Sequence, residues 1–163
     1  MDIVNRIAGM LERNGTDLYG GEAVTQTQHA LQCAALAEKD GASAQLIAAS
    51  LLHDIGHVLD PEFEAALERD EDLYHEDMGE EFLAEWFDDA VTQPVKLHVA
   101  AKRYLCAVNP DYFSTLSPSS VHTLRLQGGE MSDGEVGEFE ADPHYKQAVR
   151  LRIWDDLAKD PDM

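Results

Sequence analysis

No stretch of the 163-residue chain alternates apolar and polar residues as a half-buried strand would; apolar residues recur instead at the spacing of helix faces. The fold class is therefore all-α, a helical bundle. Ile3, Ile7, Met10 and Leu11 share one face before Asn14-Gly15 stops the first helix. Asp17 to Glu22 reads as a loop, with Gly20-Gly21 freeing its backbone. Helices follow over about 24–38 and about 43–54, the second deeply apolar through Leu46, Ile47, Leu51 and Leu52. Asp60-Pro61 opens a short acidic helix, and another runs over about 75–87. Pro94 falls in the first turn of a helix ending near Ala107, a position where proline is tolerated. Beyond Pro110, Pro118 and the Gly128-Gly129 break, Asp133 to Phe139 makes a short helix, and Pro143 starts the last, through about Lys159. The length suits a single domain over 1–163. At that size folding buries roughly 68–70% of the unfolded surface, enough for a core.

Charge limits the partners. Twelve Lys and Arg stand against 32 Asp and Glu, a net charge of −20. Such a surface repels phosphate backbones and anionic lipid, so neither nucleic acid nor membrane is an expected partner. No apolar run reaches the ~18 residues of a spanning helix. The N-terminus lacks a basic-then-apolar signal, which predicts a cytoplasmic protein. Cys33 and Cys106 form no CxxC pair. Fourteen acids and one base, Arg69, between Asp60 and Asp89 read as a solvated face. An anionic substrate must then be held by local cations against the global field.

Chemistry gathers at Leu51-Leu52-His53-Asp54-Ile55-Gly56-His57. The His-Asp pair closes an apolar helix, where an unpaired carboxylate is costly. A divalent cation removes that cost, because imidazole and carboxylate both ligate it. His29 precedes His53 by 24 residues, and His75 and His98 follow at gaps of 22 and 23, each on a different expected helix. Helices packed about a centre can converge such side chains into one site. Any one of these histidines is equally well explained as a satisfied core or surface residue; five of them around one His-Asp pair are not. His122 and His144 lie near breaks and read as surface residues.

The last helix adds Arg152 with Asp155 and Asp156 at i,i+3 and i,i+4, so either acid can share its face. A salt bridge is one reading. The other is an inward carboxylate closing a metal shell, with Arg152 reaching a substrate anion. Lys102 lies one turn after His98, and Ser120, Thr123 and Gln127 make a polar stripe that suits a solvated face or a binding wall.

The order His29…His53-Asp54…His57…His75…His98…Asp155 resembles that of the HD-domain mixed-valent di-iron oxygenases. It is most similar to the PhnZ and TmpB group of organophosphonate-degrading enzymes and more distantly to myo-inositol oxygenase. Tyr19-Gly-Gly-Glu22, His29-Ala-Leu-Gln-Cys-Ala, His98-Val-Ala-Ala-Lys-Arg-Tyr-Leu105 and Leu151-Arg-Ile-Trp-Asp-Asp156 extend the resemblance over most of the chain. It implies one iron on His29, His53 and Asp155, another on His75 and His98, and Asp54 bridging an Fe(II)/Fe(III) pair with O2 as co-substrate. It implies His57, Lys102 and Arg152 as phosphonate-binding residues, with Ser120, Thr123 and Gln127 finishing the pocket. Tyr19 and Glu22 resemble the family's lid, where the tyrosine covers iron and the glutamate meets a cationic nitrogen. The implied substrate is a small organophosphonate, a 1-hydroxy-2-(amino or trimethylammonio)ethylphosphonate. It would be oxygenated at the carbon bearing phosphorus and cleaved to phosphate and glycine or glycine betaine. Two rivals stand beside this reading: a metal-dependent HD phosphohydrolase acting on a phosphate ester, which has less use for His29, Tyr19 and Glu22, and a non-catalytic HD signalling module.

Overall fold

The computed structural model describes residues 2–60 and 63–163. Its helices are α1 (Ile3–Asn14), α2 (Gln26–Lys39), α3 (Ala44–Leu52), α4 (Ile55–Leu59), α5 (Phe63–Glu68), α6 (His75–Leu83), α7 (Asp89–Val108), α8 (Pro118–Leu126), α9 (Asp133–Ala141) and α10 (Tyr145–Leu157). No strand occurs among the described residues. One antiparallel bridge, Leu18 to Thr25, closes the loop before α2. No described helix is long and apolar enough to cross a membrane.

Side-chain caps set most helix starts. Thr25, Ser43, Ser117 and Ser132 each accept the backbone N–H of the third residue onward. Each such cap contributes ~1 kcal/mol. The helix at Asp133 and the one after the Gly20-Gly21 loop therefore begin close to where their sequences suggest.

Several boundaries differ from expectation. The apolar third helix stops at Leu52, and the residues after Asp54 form a separate short helix, α4. α6 ends at Leu83 rather than 87, because the N–H groups of Trp86 and Phe87 both turn back onto the Leu83 carbonyl. Asp88 then caps α7 by accepting the Ala90 N–H, so Pro94 lies inside the helix and not in its first turn. Pro94 is fully buried, and its ring removes one helical hydrogen bond. Pro143 precedes the last helix, which starts at Tyr145 and ends at Leu157, leaving Lys159 outside it. Of the expected Asp60-Pro61 opening, Pro61 lies outside the described residues; α5 follows it.

α10 packs chiefly on α7 and α2, α2 on α3, and α6 on α7. Cys33, Leu52, Val95, Leu151 and Trp154 form the main core where these helices meet. Both cysteines are free and buried. Gly56 permits the closest crossing: a Cβ there would lie 2.2 Å from the His75 carbonyl oxygen. α4 and α6 thus touch backbone to backbone, which draws His75 toward Asp54.

Candidate metal centre and pocket

Four helices and one turn deliver the polar cluster at the heart of this bundle. α2 supplies His29, the end of α3 supplies His53 and Asp54, α6 supplies His75, α7 supplies His98, and α10 supplies Asp155. All six are buried. The Asp54 carboxylate stands at the middle. Its Oδ2 lies 3.1 Å from His53 Nε2 and 3.4 Å from His29 Nε2. Its Oδ1 lies 3.2 Å from His75 Nε2 and 3.4 Å from His98 Nε2. Asp155 Oδ1 is 3.3 Å from His29 Nε2.

The rings are oriented by backbone carbonyls. His29 Nδ1 donates to the Ala158 carbonyl at 2.7 Å, His53 Nδ1 to Ser50 at 2.9 Å, and His98 Nδ1 to Val95 at 2.6 Å. A carbonyl only accepts, so these bonds place hydrogen on Nδ1 and turn the Nε2 lone pairs inward. Those atoms then crowd together: His29 and His53 Nε2 are 3.2 Å apart, and His75 and His98 Nε2 are 3.0 Å apart. Converging lone pairs and carboxylate oxygens demand positive charge between them.

The titration behaviour agrees. Burial alone would raise the Asp54 carboxyl, but His53 and His57 outweigh it and hold it well below the usual range. Burial would lower His53, yet Asp54 pulls it well above its ordinary value. Burial and the neighbouring imidazoles keep His75 down at about 3. His29, His53 and Asp54 form one group of mutually close ligand atoms, and Asp54, His75 and His98 form another. The donor set of imidazole nitrogen and carboxylate oxygen fits divalent or trivalent iron, and the shared Asp54 fits a bridge between two ions.

A small cavity opens over this cluster. It is lined by Tyr19, His57, Lys102, Ser120, Thr123 and Arg152, among others, and holds about 40 Å³. That is room for roughly two or three waters. Gln127 also lines it, and its Oε1 is buried without a hydrogen-bond partner. Lys102 is buried and donates to Thr123 Oγ1 at 2.8 Å; burial and Arg152 push its ammonium down to about 7. Arg152 is also buried. It donates to Tyr112 Oη at 3.2 Å and to Asp156 Oδ1, and its Nη1 forms an ion pair with Asp155 Oδ2 at 2.8 Å. Both acids of the ambiguous pair therefore share its face. Two of its N–H groups are thus spent in hydrogen bonds, and its Nη1 faces Asp155 as an ion pair beside the cavity.

Tyr19 closes the cavity from the loop side. Its ring stacks on His29 at 3.8 Å with an interplanar angle of 11°, and its hydroxyl lies 3.5 Å from Asp155 Oδ1. The loop bends through Gly20 and Gly21 at φ of 49° and 80°, a region that favours glycine. Glu22 points to Lys159, whose Nζ is 3.5 Å from its Oε1. His122 pairs with Asp70 at the surface and His144 stands at the start of α10 without a side-chain cap bond, both away from the cluster.

The structure also adds residues that the sequence did not single out. Glu76 is buried with its Oε2 3.4 Å from His75 Nδ1; burial raises its carboxyl to about 7. Its adjacency to His75 was the available signal, hidden within the acidic run. Tyr112 and Lys159 gave no signal, because their partners lie 40 residues or more away for the former and 39 for the latter's bond to Ser120.

The HD domain family matches this chain over residues 27–112. The chain is 45% identical over 162 residues to a [1-hydroxy-2-(trimethylamino)ethyl]phosphonate dioxygenase (glycine-betaine-forming) of Leisingera caerulea, covering 99% of this chain and 83% of that one. It is 48% identical over 157 residues to a hydroxymethylphosphonate dioxygenase of Gimesia maris, covering 96% and 78%. An uncharacterised protein of Acanthamoeba polyphaga mimivirus is 37% identical over 158 residues, covering 96% and 72%.

Proposed function

The chain belongs to the HD-domain family, in the group that holds the hydroxyphosphonate dioxygenases, and from that premise we propose that it oxygenates and cleaves 1-hydroxyphosphonates. Each turnover would consume one O2 and yield one carboxylate and one phosphate. The C–H, C–P and O–O bonds break, and the four electrons lost by the substrate reduce O2. The aminated and trimethylammonio substrates, giving glycine and glycine betaine, fall within this class.

The carrying observation is the pair of ligand groups that share Asp54 beneath a cavity walled by cationic side chains. Two irons, one on His29, His53 and Asp155 and the other on His75 and His98 with Asp54 between, would supply O2 activation and a Lewis-acid seat for substrate oxygens. The uneven donor sets, three residues against two besides the bridge, suit an Fe(II)/Fe(III) pair.

The chain's own residues do the rest. Lys102 is aimed by Thr123 and offers its remaining protons to the phosphonate. Arg152 pairs with Asp155 and lines the cavity, where its planar fork suits a phosphonate. His57 and Ser120 complete the anion's seat, with Gln127 beside them. Tyr19 shields His29 until substrate displaces it, keeping water off the centre. Glu76 stands beside His75, its Oε2 3.4 Å from Nδ1. We propose 1–163 as one catalytic unit in the cytoplasm, acting on a small molecule.

The test is phosphate release from hydroxymethylphosphonate in air and under argon, with iron counted and examined by Mössbauer spectroscopy. Two irons per chain and O2-dependent release are expected. Equal release under argon would instead indicate a hydrolase.

A further inference from the structure

Lys159 is an unusual cation in this chain. It follows the end of α10 and is mostly buried, with its side chain 12% exposed against 18% for Glu22. Its Nζ donates to Ser120 Oγ at 3.1 Å and Ser117 Oγ at 3.3 Å, stands 3.5 Å from Glu22 Oε1, and lies 5.9 Å from the Tyr19 ring centroid. Two of these partners, Ser120 and Tyr19, line the cavity. Lys159 and Glu22 do not themselves line the cavity; their pair stands directly behind the wall that Tyr19 and Ser120 form.

Its backbone is clamped on both sides. The Ala158 carbonyl accepts from His29 Nδ1 at 2.7 Å. The Asp160 N–H donates to Gln32 Oε1 at 3.0 Å, and the Asp160 carbonyl accepts from Gln32 Nε2 at 2.6 Å. Moving Lys159 as a whole would disturb the orientation of His29, so only its side chain is free to yield.

Resting on the oxygenase reading, we propose that Lys159 is a specificity-determining residue that supplies Glu22 with an internal ammonium and so favours 1-hydroxyphosphonates lacking a cationic nitrogen. A substrate ammonium that approached Glu22 would meet a carboxylate already neutralised and a second cation within a few ångströms. Two like charges on one partly desolvated carboxylate cost more than one pair returns. An uncharged alkyl or hydrogen substituent meets no such penalty and needs none of the volume that displacing Lys159 would open. Aminated substrates would still bind, at the expense of swinging the Lys159 side chain outward.

The experiment compares two isosteric probes, 1-hydroxypropylphosphonate and 1-hydroxy-2-aminoethylphosphonate, on iron-loaded wild-type protein, Lys159→Met and Lys159→Arg. Binding is measured by calorimetry under argon, and phosphate release in air. Wild type should bind the propyl probe more tightly. Lys159→Met should shift the affinity ratio toward the amine by about tenfold or more, because one opposed charge is removed. Lys159→Arg should keep the wild-type preference, which also shows that a folded protein with charge at this position behaves normally. An unchanged ratio in Lys159→Met, or a wild-type preference for the amine, overturns the role of Lys159. The calorimetric ratio stands whatever happens in air, so phosphate release that ignores O2 overturns the oxygenase reading alone. Failure of the propyl probe to bind wild type overturns the preference proposed for Lys159; failure of the amine alone is that preference in its extreme form, and Lys159→Met should then recover binding.

Discussion

The floor and the roof of the cavity are built by different rules. On the floor, three of the ligand-cluster rings are aimed by backbone carbonyls, two of them only three residues back along the same chain. Such a bond needs only a histidine at the right place on a helix. On the roof, Lys159, Glu22, Ser117 and Ser120 hold one another, and Arg152 is held by Asp155, Asp156 and Tyr112. There, side chains hold side chains across long stretches of sequence, as with Tyr19 and Asp155, which are 136 residues apart. The floor is thus a property of helix positions, whereas the roof is a property of pairs. Substitutions on the floor should remove the metal outright, and those on the roof should change how substrate is held.

The largest expected effect tests the centre of the floor. Asp54 touches both ligand groups, so Asp54→Ala should lose both irons and all turnover, while far-ultraviolet circular dichroism shows the helices intact. Retention of two irons per chain by plasma mass spectrometry would break the bridging assignment. The next effect crosses from floor to roof within one helix. Asp155→Asn removes a carboxylate 3.3 Å from His29 Nε2, whereas Asp156→Asn weakens only the Arg152 and Tyr112 contacts. The first should therefore cost far more iron and activity than the second. An opposite ranking would move the boundary between floor and roof.

This division also explains what could be read from residues alone. His29, the His53-Asp54 pair, His75 and His98 were visible because they fall on different expected helices at wide, similar spacing, and convergence follows from packing those helices. The resemblance picked Asp155 over Asp156; the structure buries Asp155 in the cluster and gives Asp156 to Arg152 and Tyr112. α7 was misplaced at its start because Asp88 looked like one more acid in an acidic run, although it is the cap. Glu76 was concealed in the same run. Lys159 could not be read at all, since no local pattern tells a lysine after a helix which carboxylate it will meet. Apolar periodicity pointed to the bundle, and spacing with the family resemblance pointed to the floor, but the roof needed coordinates.

On the roof itself, Lys102→Ala should raise KM for a hydroxyphosphonate strongly while iron content stays near normal. Lys102 is buried, its ammonium lowered to about 7, and beside a bound phosphonate it becomes the charged partner of a desolvated pair, whose loss costs ~2–5 kcal/mol. Steady-state kinetics beside metal analysis checks this, and a matching loss of iron would place Lys102 on the floor. Moderate salt should leave that KM nearly unchanged, because screening over ~8–10 Å acts on the acidic surface more than on buried groups.

The smallest effect concerns Tyr112, two contacts from the His-Asp ligand cluster. Burial, with Asp156 beside it, pushes its phenol well above the ordinary value, so it stays neutral, donating to Asp156 and accepting from Arg152 Nε at 3.2 Å. Tyr112→Phe removes both bonds while keeping the ring in its apolar setting of Leu105, Cys106 and Leu124. One hydrogen bond to a charged group contributes ~1.5–3 kcal/mol, and Arg152 retains Asp155 and Asp156 as partners. The loss should fall at the low end of that range: a KM rise of about tenfold, with two irons retained and kcat little changed. Iron loss in Tyr112→Phe would show that Arg152 transmits its positioning through Asp155 to the metal, and the floor would then depend on the roof. Unchanged KM would show that Asp155 and Asp156 alone suffice to aim the guanidinium, which confines the roof to the residues that face the cavity directly.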